Sequence, residues 1–256
     1  METFTKRRPD APEGFFEAEA AGLRWLRVPG GVAVAEVVEV TATSLTTIRV
    51  AEGPATRDSA ERFGAELVRT HDAGAAAFGV LPDGYFGPAH IGSLAMPMPD
   101  PADAPGLRWG TYYGTYRVLD PARRAVERGG LAPGDLRVFE ALAKRLDDGA
   151  FDDGAPVARL HGDLWAGNVL FTGRRAVLID PAAHGGHRLA DLAMLGLFGA
   201  PHLDAIWSSY EEASGHLPDG WRELIALHQV NPLLVHAALF GGGYGSAAVR
   251  AASRYL

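Results

Sequence analysis

Residues 157–180 constrain this chain more than any other stretch. Val157-Ala158-Arg159-Leu160 is a short apolar run that enters a polar loop, His161-Gly162-Asp163-Leu164-Trp165-Ala166-Gly167-Asn168. Two further apolar runs follow, Val169-Leu170-Phe171 and Ala176-Val177-Leu178-Ile179, separated by Thr172-Gly173-Arg174-Arg175. Short β-prone runs around a Gly-containing connection predict a β-hairpin. The second strand runs into Asp180. The hairpin would therefore bring Asn168, at its entrance, next to Asp180, at its exit, with Asp163 in the loop just before it.

These residue types at this spacing suit one chemistry. Residues 161–168 have the H-x-D-x-x-x-x-N spacing of a kinase catalytic loop. Phosphoryl transfer asks for a carboxylate beside the attacking hydroxyl and Mg²⁺ to neutralise charge on the phosphate oxygens. Asp163 fits the first role. Asn168 and Asp180 fit the second, because Mg²⁺ is a hard ion that takes oxygen ligands. His161 is expected to hold the loop through its ring nitrogens rather than to carry a proton; with Trp165 it is also carried as a substrate-side candidate. Trp165 either packs beneath the loop or forms a wall of the acceptor site. Asp191 is expected to cap the following helix or tie down the loop, and not to bind metal.

Composition narrows the field. A net charge of −7 over 256 residues lacks the basic bias of a nucleic-acid binder. With no cysteine, disulfides, zinc–thiolate sites and cysteine nucleophiles are excluded. The N-terminus has basic residues with no apolar run behind them, so no secretory signal is expected. No uninterrupted apolar stretch suggests a membrane span. A cytoplasmic protein is the expectation. Of the 24 basic residues only Lys6 and Lys144 are lysines, a bias that nucleotide composition of the gene would explain, yet one that draws attention to where each lysine falls.

The rest of the chain reads as α+β followed by helices. A helix is predicted over 15–27, then β-branched runs over 32–40 and 44–50 forming an antiparallel pair. Gly53-Pro54 marks the boundary between a small segment, 1–52, and a larger, mainly helical one, 53–256. A helix from Asp58, capped by Asp58 with Glu61 three residues on, carries Phe63, Leu67 and His71 on one face. Residues 74–106 form a Gly- and Pro-rich loop long enough to suggest function. Helices follow over 109–128, interrupted or kinked at Pro121, and over 135–147; beyond 189 the chain is helical. Gly241-Gly242-Gly243-Tyr244-Gly245 follows a helix and lacks a Lys-Ser/Thr, so it reads as a helix-ending turn and not a phosphate loop.

With these motifs in view, the chain resembles the fructosamine kinase (ketosamine-3-kinase) family of the protein-kinase-like superfamily. HGDLWAGN (161–168) is similar to that family's signature, and the run LIDPAAHGGHRLADLAM continues the likeness. FGVLPDGYFG (78–87), GLRWGTYYGTYRVL and LHQVNPLLVHAALFGGGYG resemble further family segments. One departure is Leu189, where the family usually has glutamate.

The resemblance implies a two-lobed protein-kinase-like α+β fold, ATP and Mg²⁺ as cofactors, and transfer of phosphate to the 3-hydroxyl of a ketosamine. Phe4-Thr5-Lys6 is similar to the strand that carries the ATP lysine. FFEAEAAGL is similar to the helix bearing its partner glutamate, here Glu19 with Glu17 as the alternative. The adenine would lie near Val50-Ala51-Glu52, with Val50 and Glu52 as binding residues. Other readings remain: an aminoglycoside or amino-alcohol acceptor, or a nucleotide-binding pseudokinase without turnover. Because the lysine strand begins at residue 4, the expected N-lobe is reduced and lacks the Gly-rich hairpin. Either the start lies too far downstream or the phosphate site is open, and the bare strand edge could pair with a second copy in a homodimer. No nucleic acid or membrane partner is expected.

Overall fold

The computed structural model describes residues 2–256. The chain opens with β1 (Thr3–Arg7), α1 (Phe15–Trp25), β2 (Ala33–Val34), β3 (Val37–Thr41) and β4 (Ser44–Ile48). β4 is the centre of an antiparallel sheet of order β1-β4-β3, in which Lys6 stands opposite Leu45. Phe16, Ala20 and Leu23 of α1 bury themselves with Ala35 and Leu45, as their helical spacing requires.

The run predicted as one strand over 32–40 is divided between two sheets. β2 pairs in parallel with a strand of the 169–178 hairpin, Ala33 beside Val177 and Val34 beside Leu178. Only β3 joins β4. The reason lies upstream: the Val32 amide donates to Thr70 Oγ1 at 3.0 Å, and the Ala35 amide to the Leu178 carbonyl at 3.0 Å. These bonds hold the start of the run on the larger part of the molecule.

α2 (Arg57–Asp72) is capped differently from the expectation. Thr56, extended at φ −106 and ψ 158, accepts the Ser59 amide through its hydroxyl, while Ser59 Oγ accepts the Thr56 amide. Thr56 and Ser59 thus form the capping box. Asp58 lies inside the first turn, and Glu61 pairs with Arg57 at 2.9 Å. The long loop that follows contains one small hairpin, β5 (His90–Ile91) and β6 (Leu94–Ala95).

Next come α3 (Trp109–Tyr112), a π-helical run over Tyr113–Leu119 and α4 (Asp120–Glu127). Pro121 interrupts nothing, since it falls in the first turn of α4; the irregularity sits just before it, in the π-helical run. After α5 (Leu136–Asp147), the strands β7 (Ala158–Leu160), β8 (Val169–Phe171), β9 (Ala176–Leu178) and β10 (His184–Gly186) carry the motif region. β8 and β9 form the predicted hairpin, and β10 returns antiparallel to β7.

The chain ends in α6 (Leu189–Phe198), α7 (Leu203–Ala213), α8 (Trp221–Phe240) and α9 (Tyr244–Ala252). One core joins α3–α5 with α8 and α9; a second joins α2 and the hairpin with α6 and α7. α8 is long and apolar enough to cross a membrane, but Leu227, Val230 and Leu234 are buried in the first core. Gly241 and Gly242, both at positive φ, end α8 as expected.

Candidate active site

The hairpin does what its spacing promised. The Ile179 amide donates to the Asn168 carbonyl at 3.1 Å, closing the strand ends on each other. Asn168 Nδ2 donates to the Asp163 carbonyl at 2.8 Å and to the Asp163 carboxylate at 3.2 Å. The same nitrogen lies 3.5 Å from the Asp180 carbonyl oxygen. Asp180 leaves the strand in the left-handed region, φ 53, a conformation that Asp tolerates better than most residues.

Lys6, from the other sheet, completes the group. Its ammonium donates to both Glu19 oxygens at 3.0 and 3.2 Å and lies 3.0 Å from Asp180 Oδ2. Burial alone would lower the Lys6 pKa, but attraction to Glu19 and then Asp180 outweighs it and holds the ammonium above its usual value. Burial pushes the Glu19 carboxyl well up, against the pull of Lys6. One cation thus serves two carboxylates. Glu19, and not Glu17, is the partner.

Asp163, like Glu19, is a strongly perturbed carboxylate of the cleft. Burial raises it from 3.8 to about 6, opposed by the hydrogen bond from Asn168. It lines a cavity of about 280 Å³ together with Lys6, Asn168, Asp180, Trp165 and Tyr85. A second cavity, of about 200 Å³, adjoins it through Lys6, Glu19 and Asp180. Leu23, Ala35, Leu170 and Ile179 supply apolar walls there, and Val50 and Glu52 line it too. A largely apolar slot that reaches a lysine suits a nucleobase and its phosphates.

His161 does not reach the cleft: it is 0% exposed, its Nε2 lies 2.8 Å from the Ile179 carbonyl, and its Nδ1 accepts the Asp163 amide. Both ring nitrogens are occupied, so the substrate-side assignment is corrected to the loop-holding one. Burial also lowers its pKa, which keeps the ring neutral. Trp165 is 42% exposed and stands on the cleft wall. Its indole covers Gly167 so closely that a Cβ there would lie 2.2 Å from Trp165 Cη2.

Beneath the loop lies a network that sequence reasoning saw only in part. Asp191 ties the loop down: its carboxylate accepts the amides of His161 at 2.8 Å and Gly162 at 3.0 Å and lies 3.2 Å from His71 Nε2. These partners hold it charged, below its ordinary pKa, although burial opposes this. His71 Nδ1 in turn meets Tyr210 Oη at 2.7 Å. His71 had read as one more position on a buried helical face, and nothing in its spacing marked it as polar support. Arg188 is fully buried and donates to Asp72 and Tyr210, while its Nε and second terminal nitrogen have no partner. Leu189, the departure from the family pattern, is buried in the core and offers them no acceptor. Tyr85, from the long loop, donates to the carbonyls of Gly14 and Pro88 and so ties that loop to the start of α1.

The donor set can be tested for Mg²⁺. Among the described residues no cluster of three His, Asp or Glu side chains could hold a metal by itself. Asn168 and Asp180 supply two oxygen donors, and Asp180 already holds a cation, the Lys6 ammonium. Two protein donors suit a magnesium ion whose other ligands are phosphate oxygens and water.

Comparison with known proteins shows the family. The family model described as "Fructosamine kinase" matches residues 1–256. A protein from Enterococcus faecium named "Probable ketoamine kinase" is 30% identical over 251 residues, covering 95% of this chain and 83% of its own. A crystal structure from Thermobifida fusca, assigned as a fructosamine-3-kinase, superposes with a TM-score of 0.85 at 45% identity, covering 98% of this chain and 85% of the other. A macrolide 2'-phosphotransferase from Brachybacterium faecium shares the fold alone: TM-score 0.57, 18% identity, 97% of this chain and 83% of the other. The architecture is thus the kinase-like α+β fold of small-molecule phosphotransferases. A whole-length family match, together with a cleft that gathers Lys6, Glu19, Asp163, Asn168 and Asp180, makes this chain a member of the fructosamine kinase family.

Proposed function

We propose that this protein transfers the γ-phosphoryl group of ATP to a sugar hydroxyl of a small-molecule ketosamine, the 3-hydroxyl by family resemblance. The observation that carries the reading is a single cleft holding Asp163, Asn168, Asp180 and Lys6, open beside an apolar slot. In this reading the slot takes the adenine beside Val50 and Glu52, and Lys6, held by Glu19, takes the α- and β-phosphates. Asn168 and Asp180 would hold Mg²⁺, which supplies charge neutralisation on the phosphate oxygens when bound. We divide the chain at residues 52/53 into a nucleotide-positioning lobe and a catalytic lobe.

Asp163 receives the proton. With a pKa of about 6 it is mainly ionised at neutral pH yet basic enough to take a hydroxyl proton as the oxygen bonds to phosphorus. The bond from the γ-phosphorus to the bridging oxygen breaks, and that oxygen leaves on ADP. Asn168 keeps the carboxylate aimed, and Asp191 fixes the backbone that carries it.

Use of ATP fits a cytoplasmic protein. Among the described residues β1 pairs only with β4, and its outer edge would offer backbone groups to a second copy, so a homodimer through that edge belongs to the proposal; mass photometry reads it. The decisive experiment is ATP consumption across a panel of ketosamines, aminoglycosides and amino alcohols. Turnover on ketosamines supports the reading, preference for another class replaces it, and nucleotide binding without turnover makes the protein a pseudokinase.

A further inference from the structure

Arg117, in a cavity beside the catalytic cleft, has no task in the proposed reaction. It is 5% exposed. Its terminal nitrogens donate to the Pro97 and Tyr116 carbonyls and to Met98 Sδ, and its Nε has no partner. No carboxylate reaches it among the described residues. Asp120, the first residue of α4, lines the same cavity but is taken by Arg124 at 2.6 Å. Buried charges are ordinarily paired, so a buried guanidinium without a counter-ion points to an anion that arrives from outside.

The surroundings supply a place for that anion. Arg117 lines a cavity of about 60 Å³, room for a carboxylate or a few waters. Tyr112 and His228 line it too, 2% exposed each, and the Tyr112 hydroxyl and His228 Nδ1 also lack partners. Asp191 reaches the same wall, but its oxygens are occupied by His71 and two backbone amides. The His184 ring there is held neutral, its pKa lowered to about 3 by burial and then by the positive charge of Arg117.

Two helices are irregular where they face this cavity. Arg117 lies in the π-helical run Tyr113–Leu119, and π turns recur at functional sites. Across from it, Pro232 sits inside α8 and removes the hydrogen bond that the His228 carbonyl would accept. Asn231 joins the two, donating to the Arg117 carbonyl at 2.8 Å. The cavity also meets the catalytic one: Ile91 and Met96 line both, and Gly162 of the catalytic loop lines this one.

We propose that Arg117 binds a carboxylate on the amine part of the acceptor, so that the preferred substrates are ketosamines of amino acids rather than of neutral amines. This rests on the ketosamine reading above and adds a subsite to it. The guanidinium would anchor the carboxylate with charge-assisted hydrogen bonds, with the sugar extending towards Asp163.

The test compares two acceptors with the same sugar, one built on glycine and one on glycinamide, with the full chain. The glycine derivative should have the higher kcat/KM, by about 10- to 100-fold. Arg117→Met should bring that ratio close to one. Equal use of both acceptors by the parent protein, or an unchanged ratio in the variant, overturns the proposal. A second arm needs neither turnover nor the variant: acetate, compared with acetamide and with chloride at equal ionic strength, in a thermal-shift titration of the parent. A rise in Tm with acetate alone supports the carboxylate site even if neither acceptor is phosphorylated, in which case it is the ketosamine reading that fails. No rise with acetate, or an equal rise with chloride or inorganic phosphate, removes the carboxylate subsite.

Discussion

The Lys6 ammonium lies 3.0 Å from Asp180 Oδ2, as near as it lies to Glu19. Glu19 and Asp180 therefore compete for one cation, and Asp180 is free for a metal only while Glu19 holds the lysine. Glu19→Gln removes that competitor and leaves Lys6 to Asp180. The half-saturating Mg²⁺ concentration for ATP turnover should rise several-fold, with the Tm little changed. An unaltered Mg²⁺ requirement would show that Lys6 and the metal do not share Asp180.

Asp163→Asn should lower phosphoryl transfer by about 10²–10⁴-fold while raising thermal stability. The sign follows from the folded pKa of about 6, above the ordinary 3.8. Folding disfavours the ionised carboxylate, so the penalty is absent below about pH 4, grows as pH rises, and is complete above about pH 6. At about 1.4 kcal/mol per pKa unit it reaches about 3 kcal/mol. The Tm difference between variant and parent should therefore grow between about pH 4 and pH 7. A difference independent of pH contradicts the burial argument.

The parent enzyme's kcat/KM should rise about tenfold per pH unit below about pH 6 and level off above it, as Asp163 loses its proton. Steady-state rates across this range give the profile. A flat profile would mean that Asp163 is not the group that accepts the proton.

Asp191→Asn keeps one acceptor oxygen and turns an amide towards donors. It should lower Tm and reduce kcat by about 10²-fold, because small displacements of a catalytic group are costly. The KM for ATP should hardly move, since Lys6, Glu19, Val50 and Glu52 are untouched. A change confined to the KM for ATP would place Asp191 in nucleotide binding instead.

Gly167→Ala should act through Trp165. The new methyl would meet Cη2 at 2.2 Å, and the partly exposed indole must swing away. The KM for the acceptor should rise without change in the KM for ATP, and Trp165→Ala should give the same pattern. If Gly167→Ala instead lowers stability with acceptor kinetics intact, the indole is packing and not a wall.

The catalytic hairpin was legible because its information is local. Loop, strand, turn and strand follow one another within 24 residues, and backbone pairing alone brings Asn168 to Asp180. Lys6 and Glu19 became legible through likeness to a family, helped by the scarcity of lysine and by the distance between the two residues in the chain. What stayed hidden depends on distant partners. His71 belongs to a buried helical face by its period, yet its task is set by Asp191 and Tyr210, 120 and 139 residues away. His161 was half-read: its role in the loop was expected, but only burial shows that it cannot also touch a substrate. The Thr56 cap lay two residues before the Asp58 that was favoured, since Thr and Asp both cap well and only the backbone angles choose. The split of 32–40 could not be read from β-branched residues, which suit either sheet.

That split has a mechanical consequence. The Ala35 amide is bonded to the Leu178 carbonyl of β9, and the Gly53 amide to the Phe171 carbonyl of β8. The segment carrying β3 and β4 is thus pinned at both ends to one rigid hairpin, the same hairpin that presents Asn168 and Asp180. The sheet bearing Lys6 cannot slide along the hairpin or lift from it without breaking one of these bonds. The depth at which the lysine stands over the aspartate is thus set by the same hairpin that carries the aspartate.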